Sequence, residues 1–352
     1  MDRIERNAAA LSYRQLVAVA KGAAEIAIGP AAMAELQNGR AIVEKIIARG
    51  ERAYGISTGL GALSEIVLTG SQQAELSRNT LMSHACGVGA PLSETATRAI
   101  MASLVNDLCH GKSGVSPAVV TQLVNLLNHK ITPVVPSQGS VGYIVHGAHI
   151  GLGLIGMGDV VVHGRRMSAA EALGAAGLSV IPLGAKDGLC LVNGTRCLTG
   201  LACLALAEAE PLVDWADVTG ALSFKALKGQ IAAYDEKVLA LKPHPGLLHV
   251  GKRLRALLAE SEMVAKHQGF RTQDALSIRS IPQIHGATRD QLDHVRKQIE
   301  TELASATDNP LVIGTPDDYR VISNAHPHGQ SLGMAMDLLG MAVAELGSVA
   351  ER

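Results

Sequence analysis

Three glycine-rich stretches, at residues 54–61, 139–158 and 184–195, interrupt a largely helix-forming sequence. Glycine lets the backbone turn sharply or approach a ligand closely, so these are the places to look for chemistry. The first opens on Tyr54, whose phenol sits on a loop able to close over a substrate. It could remove a proton if its pKa were lowered locally. Two histidine pairs, His146 with His149 and His326 with His328, raise the question of a metal. Neither pair has convergent acidic or cysteine ligands, so no metal site is expected. The five cysteines, Cys86, Cys109, Cys190, Cys197 and Cys203, never fall at C-x-x-C spacing. They fit neither a disulfide framework nor a zinc ribbon and read as reduced, mostly buried thiols.

Helices must position these stretches. Leu292, Val295, Ile299 and Leu303 recur at helical spacing, with Asp290, Arg296, Lys297 and Glu300 on other faces. Val43, Ile46 and Ile47 form a second stripe that ends with Lys45 and Arg49 in the last turn and Gly50 as the cap. The run at 198–209 is apolar on every side and predicts a helix surrounded by other helices. Strand signals are brief, the best being 160–162 and 311–313. Aromatic residues are 2% of the chain, so aliphatic side chains on closely packed helices must fill the core.

With 352 residues, one large domain or two ordinary ones can bury a substantial core. Lys and Arg total 31 against 32 Asp and Glu, which leaves no basic field for nucleic acid or an anionic membrane and favours a small-molecule substrate. Asp2, Arg3, Glu5 and Arg6 precede any apolar run, which is wrong for a signal peptide, and a cytoplasmic location is expected. His146 and His149 interrupt the apolar stretch at 141–158, so a buried core segment is expected there and no transmembrane helix.

Longer motifs narrow the reading. Y-G-I-S-T-G-L-G at 54–61, R-N-T-L-M-S-H-A-C-G-V-G at 78–89 and V-P-S-Q-G-S-V-G at 135–142 come in an order shared with a known family. They are followed by L-V-N-G-T at 191–195, K-P-H-P-G at 242–246, Q-D-A-L-S-I-R at 273–279, P-Q-I-H-G-A at 282–287 and D-N-P-L at 308–311. In these blocks, spread over nearly the whole chain, the sequence resembles the aromatic amino acid ammonia-lyases and aminomutases, nearest to the histidine-specific members.

That resemblance implies a mainly α fold: a long-helix bundle core of the fumarase/aspartase-like type with a smaller N-terminal region. Residues 1–196 would carry the Tyr54 loop and the electrophile-forming segment, and 197–352 the central bundle. It implies a homotetramer, an amino acid substrate and no diffusible cofactor. The family's electrophile, 4-methylidene-imidazol-5-one (MIO), forms from an Ala-Ser-Gly tripeptide. The substrate adds to it, a base removes the β-proton, and the C–N bond breaks to give an α,β-unsaturated acid and ammonia. In this sequence Gly142 runs directly into Y-I-V-H-G-A-H, three residues short of the family pattern counted back from His149. The tripeptide's place is therefore between Gly142 and Tyr143. A gap of its own length suggests a fused residue left unwritten, and a true deletion is the alternative.

By resemblance, Tyr54 is the base and Arg279 the clamp on the substrate carboxylate, where a guanidinium offers paired hydrogen bonds. Asn193 can donate and accept near the electrophile, beside Gly142 and Tyr143, and Gln273 can contact the same ligand. S-H-A at 83–85 resembles the histidine-specific enzymes, so His84 is the candidate partner for a polar ring. Gly61, Leu276 and His328 complete the candidate substrate pocket.

Several positions depart from the pattern. Tyr143 stands for the family aspartate, His146 for its proline and Leu276 for a tyrosine, while 324–328 replaces G-G-N-F-H. The sequence stops at A-E-R, where family members continue. A pocket altered in these ways fits a histidine-like or aromatic substrate, a 2,3-amino shift, or a non-catalytic binding paralogue.

Overall fold

Short polar side chains start many of the helices. Ser12, Ser93 and Ser168 each accept the backbone N–H three residues on, and Pro30, Pro117 and Pro245 occupy first-turn positions where no N–H is needed. In the computed structural model, which describes residues 2–351, helices make up 58% of the protein. The stripe of Val43 and Ile46 lies buried on helix Pro30–Ala48, and Gly50, at φ 64°, returns its N–H to the Ile47 carbonyl at 3.0 Å. Leu292, Val295, Ile299 and Leu303 are all buried on helix Ile281–Leu303. The apolar run at 198–209 sits in the 31-residue helix Arg196–Ala226.

The expected strands fall within Asp159–Val162 and Leu311–Thr315, each antiparallel to its neighbour. Asp2–Arg6 also pairs in parallel with Ala24–Ile28, and Val88–Pro91 pairs with Pro136–Gln138. Two helical stretches, Asp187–Ala226 and Gln330–Glu351, are long and apolar enough by length and composition to cross a membrane, where the sequence reading found none. In the first, 67% of the apolar window is buried within the protein, the condition of a core helix; in the second the figure is 28%.

The chain forms two compact units, Met1–Leu204 with Ile299–Gln330, and Ala205–Gln298 with Ser331–Arg352. In the first, Ile42, Val43, Ile46, Ala53, Ile56 and Val312 pack together and anchor the Tyr54 loop. In the second, Phe224, Tyr234, Val250, Leu254, Ile278 and Ile281 form a core, and the buried Tyr234 hydroxyl donates to the Ile278 carbonyl at 2.6 Å. That bond fixes the backbone beside Arg279.

Candidate active site

A six-residue helix, Asp187–Val192, is the hub of the first unit's site, with Gly70–His84 and Val145–Leu154 packed against it. The approach is close enough to demand glycine. A Cβ at Gly188 would lie 2.2 Å from the Ser77 carbonyl oxygen, and one at Gly147 would lie 2.2 Å from that of Leu191. Asp187 anchors the hub by accepting from the Ser116 hydroxyl at 2.6 Å and from the backbone N–H groups of Ser116 and Gly184 at 2.8 and 2.7 Å.

Tyr54 is half-buried on its loop, where its hydroxyl accepts the Gly61 N–H at 3.4 Å. The loop meets the hub through Gly55, whose missing side chain leaves room for Leu189. His84 ends the neighbouring helix, and its Nδ1 lies 2.8 Å from the Thr80 carbonyl. A carbonyl can only accept, so Nδ1 carries a proton, and Nε2 is the ring nitrogen left to meet a ligand. On the third helix, His149 accepts the Gly87 N–H on Nε2 at 3.2 Å.

Asn193 follows the hub directly. Its amide donates to the Asp308 carboxylate at 2.9 Å and to the Asn309 carbonyl at 2.8 Å, so both N–H groups are taken. Its oxygen is the side-chain atom left without a hydrogen-bond partner among the described residues. The Asn309 side chain accepts the Asn324 N–H at 2.8 Å, and Asn324 accepts the His326 N–H at 2.8 Å, which brings in the loop bearing the exposed His328. Lys186 and Asp308, buried and 2.7 Å apart, were not singled out as site residues from sequence. The available signal was a charged pair, Lys186 and Asp187, inside an otherwise apolar glycine-rich run.

In the second unit, Gln273 and Leu276 are exposed and Arg279 is half-buried. Arg279 donates from Nε to the Asp274 carbonyl at 3.1 Å, and among the described residues its guanidinium makes no ion pair. It is therefore free to take a carboxylate. Burial pushes the thiols of Cys109 and Cys197 up to about 12, away from the reactive thiolate.

The junction expected to carry the electrophile can be tested for fit. The sequence holds no Ala-Ser-Gly, and Gly142 is joined directly to Tyr143. Ser140 closes the junction, its hydroxyl accepting the Gly142 N–H at 3.2 Å and donating to the Tyr143 carbonyl at 2.9 Å. Ile144 follows at φ 72° and ψ −72°, with the Val145 N–H on the Tyr143 carbonyl at 3.0 Å. This is a γ-turn of the strained hand, which costs a β-branched residue on the order of 1–3 kcal/mol. The residues present do not fit the group. The backbone beside Val192, whose carbonyl accepts the Ile144 N–H at 2.8 Å, is strained at the place where three further residues would enter.

Comparison with known proteins gives a consistent picture. The model of the family described as aromatic amino acid lyase matches residues 11–352. A histidine ammonia-lyase of Alkaliphilus metalliredigens is 37% identical over 355 residues, covering 100% of this chain and 70% of its own length. One from Symbiobacterium thermophilum is 40% identical, covering 100% and 69%. Among solved structures, histidine ammonia-lyase from Trypanosoma cruzi superposes with a TM-score of 0.91 at 34% identity, covering 99% of this chain and 66% of that one. Tyrosine aminomutase from Streptomyces globisporus superposes at 0.90 and 32% identity, with 99% and 70% covered.

Proposed function

We propose, for a chain that belongs to the aromatic amino acid lyase family, that its substrate is a histidine-like or aromatic L-α-amino acid. The protein is an ammonia-lyase, a carbon–nitrogen lyase that eliminates ammonia from an amino acid. What supports the substrate reading is that the loop of Tyr54 and the helix that ends at His84 both pack on the short helix Asp187–Val192, which Asn193 directly follows. Tyr54 removes the β-proton as the amine departs, leaving the α,β-unsaturated acid. Arg279 grips the carboxylate, with Gln273 beside it, and His84 Nε2 accepts from a ring N–H or hydroxyl. Gly61 and His328 on the first unit, and Leu276 on the second, are further candidate substrate contacts.

MIO enters through the family, whose members generally depend on it. For this chain it requires an Ala-Ser-Gly between Gly142 and Tyr143. An encoding DNA with those codons, and an intact mass lower by the two waters lost on cyclisation and dehydration, supports it. The direct Gly142–Tyr143 bond favours a second reading, an amino-acid-binding paralogue that performs no elimination. The likeness to tyrosine aminomutase supports a third, a 2,3-aminomutase. Product analysis over histidine, tyrosine, phenylalanine and an aliphatic amino acid separates the three, as unsaturated acid, β-amino acid or neither.

The substrate assignment is tested with His84→Leu. An apolar replacement removes a partner that a polar ring needs, so the preference for histidine or tyrosine over phenylalanine should fall by roughly tenfold or more. Unchanged kcat/KM ratios make His84 structural. We also propose a cytoplasmic homotetramer, with 1–196 and 197–352 as its functional regions. Exposed Trp215 and Leu222, one heptad apart, and Met334 and Met341, likewise spaced, support assembly with like chains and are tested by light scattering.

A further inference from the structure

The polar groups behind Asn193 are buried, and their donors and acceptors can be matched one by one. Asp308 accepts from Lys186 Nζ on Oδ2 at 2.7 Å and from Asn193 Nδ2 on Oδ1 at 2.9 Å. The other Asn193 N–H goes to the Asn309 carbonyl at 2.8 Å. Lys186 also donates to the Ser113 carbonyl at 2.7 Å and to Cys190 Sγ at 3.5 Å. Burial alone would push Lys186 toward the neutral amine, but the charge of Asp308 outweighs it and raises the pKa. Burial would likewise push Asp308 toward the protonated acid, but Lys186 and then Arg196 hold its pKa below the ordinary value. The carboxylate therefore stays ionised and can only accept. An Asn193 amide turned over would set its oxygen against two acceptors. In the observed orientation no donor among the described residues reaches Asn193 Oδ1, and the side chain is only half-buried.

We propose that Asp308, backed by Lys186, is a positioning residue that locks the Asn193 amide with its oxygen toward the site, making the site selective for a ligand that presents an amine there. The inference rests on the amino-acid reading of the site and adds to it the group that discriminates the α-amine.

Two probes without a β-hydrogen cannot be eliminated and isolate binding: 2-(imidazol-4-yl)glycine, and imidazole-4-acetate, which lacks the amine. Titration calorimetry on the full chain should show the amine-bearing probe bound about tenfold more tightly or better, the scale of one charge-assisted hydrogen bond. Asp308→Asn should bring that ratio toward one, while the affinity for imidazole-4-acetate stays within about twofold. Equal weakening of both probes, or an unchanged ratio, overturns the proposal. A second readout needs no ligand: hydrogen exchange of the Asn193 side-chain amide, observed by ¹⁵N NMR, should be slow in the native chain and about tenfold faster in Asp308→Asn. Unaltered exchange also overturns it. Accelerated exchange with neither probe bound would instead sink the amino-acid reading while the positioning role stands. Should Asp308→Asn fail to fold, Asn193→Asp with Asp308→Asn reverses the pair and keeps an acceptor facing the site. That double variant should retain the amine preference, and its loss counts against the proposal.

Discussion

The Tyr54 hydroxyl accepts one long hydrogen bond, from Gly61 at 3.4 Å, which leaves the oxygen available to a substrate. Tyr54→Phe removes that oxygen and little else. Turnover should fall by about 10²- to 10⁴-fold, the usual contribution of a positioned base, with the thermal midpoint nearly unchanged. Turnover equal to the native enzyme takes Tyr54 out of the mechanism. For Arg279, whose guanidinium has no ion-pair partner among the described residues, a lysine keeps the charge but loses the paired fork. Arg279→Lys should therefore raise KM by roughly tenfold or more and change kcat less. Kinetics unaffected across the amino acid panel would place the carboxylate elsewhere. The sequence offers Tyr54, His84 and Asn193 as candidates because each lies in an ordered, distinctive motif. The pairing of Lys186 with Asp308 was not, because the two lie 122 positions apart and only the folded chain brings a buried ammonium to a buried carboxylate.

Helix Val145–Leu154 carries two histidines into the interior, and that has a consequence for acid stability. Neither ring nitrogen of His146 has a hydrogen-bond partner among the described residues, and burial, only partly offset by the nearby Pro136 carbonyl, lowers its pKa. His149 is lowered by burial and then by His146, and its Nε2 already accepts from Gly87. Both folded values lie below the ordinary histidine value of about 6.5, so the neutral rings contribute stability that is complete above that pH. As the pH falls through about 6.5 the unfolded chain binds protons that the folded chain refuses, and stability declines until the folded pKa values are passed. Thermal melts should be flat from about pH 8 to 7 and lose midpoint below about 6.5, with a shallower slope in His146→Leu. A midpoint constant down to about pH 5 would mean the rings are protonated at no cost in the folded protein. The helices themselves were legible because apolar stripes recur at 3.6 residues and Gly50 marks a stop. The parallel pair Asp2–Arg6 and Ala24–Ile28 was not, since the first strand reads D-R-I-E-R and its pairing is set by tertiary contacts rather than by alternation.

At the scale of the whole molecule, the aliphatic composition and the ordered motifs specified a helical lyase fold, and the match over 99% of the chain to solved lyase and aminomutase structures agrees. The whole chain must also decide whether the fold works as a catalyst, and that turns on one junction. Gly142 meets Tyr143 without the family's tripeptide, and Ile144 takes a strained γ-turn just beyond it. Lengthening a loop by three residues adds only a few tenths of a kcal/mol of closure entropy, less than the 1–3 kcal/mol that such a turn typically stores. Inserting Ala-Ser-Gly between Gly142 and Tyr143 should therefore leave the thermal midpoint equal or higher. If the surrounding backbone still directs cyclisation, the inserted chain should weigh less than its sequence by the waters lost, absorb in the near ultraviolet, and release unsaturated acid faster than the chain without the insert. A stable inserted chain that keeps its full mass and produces no acid would show that Tyr143 and His146, standing where the family has aspartate and proline, have removed the capacity to form the electrophile. The amino-acid-binding reading would then replace elimination as the function of this fold.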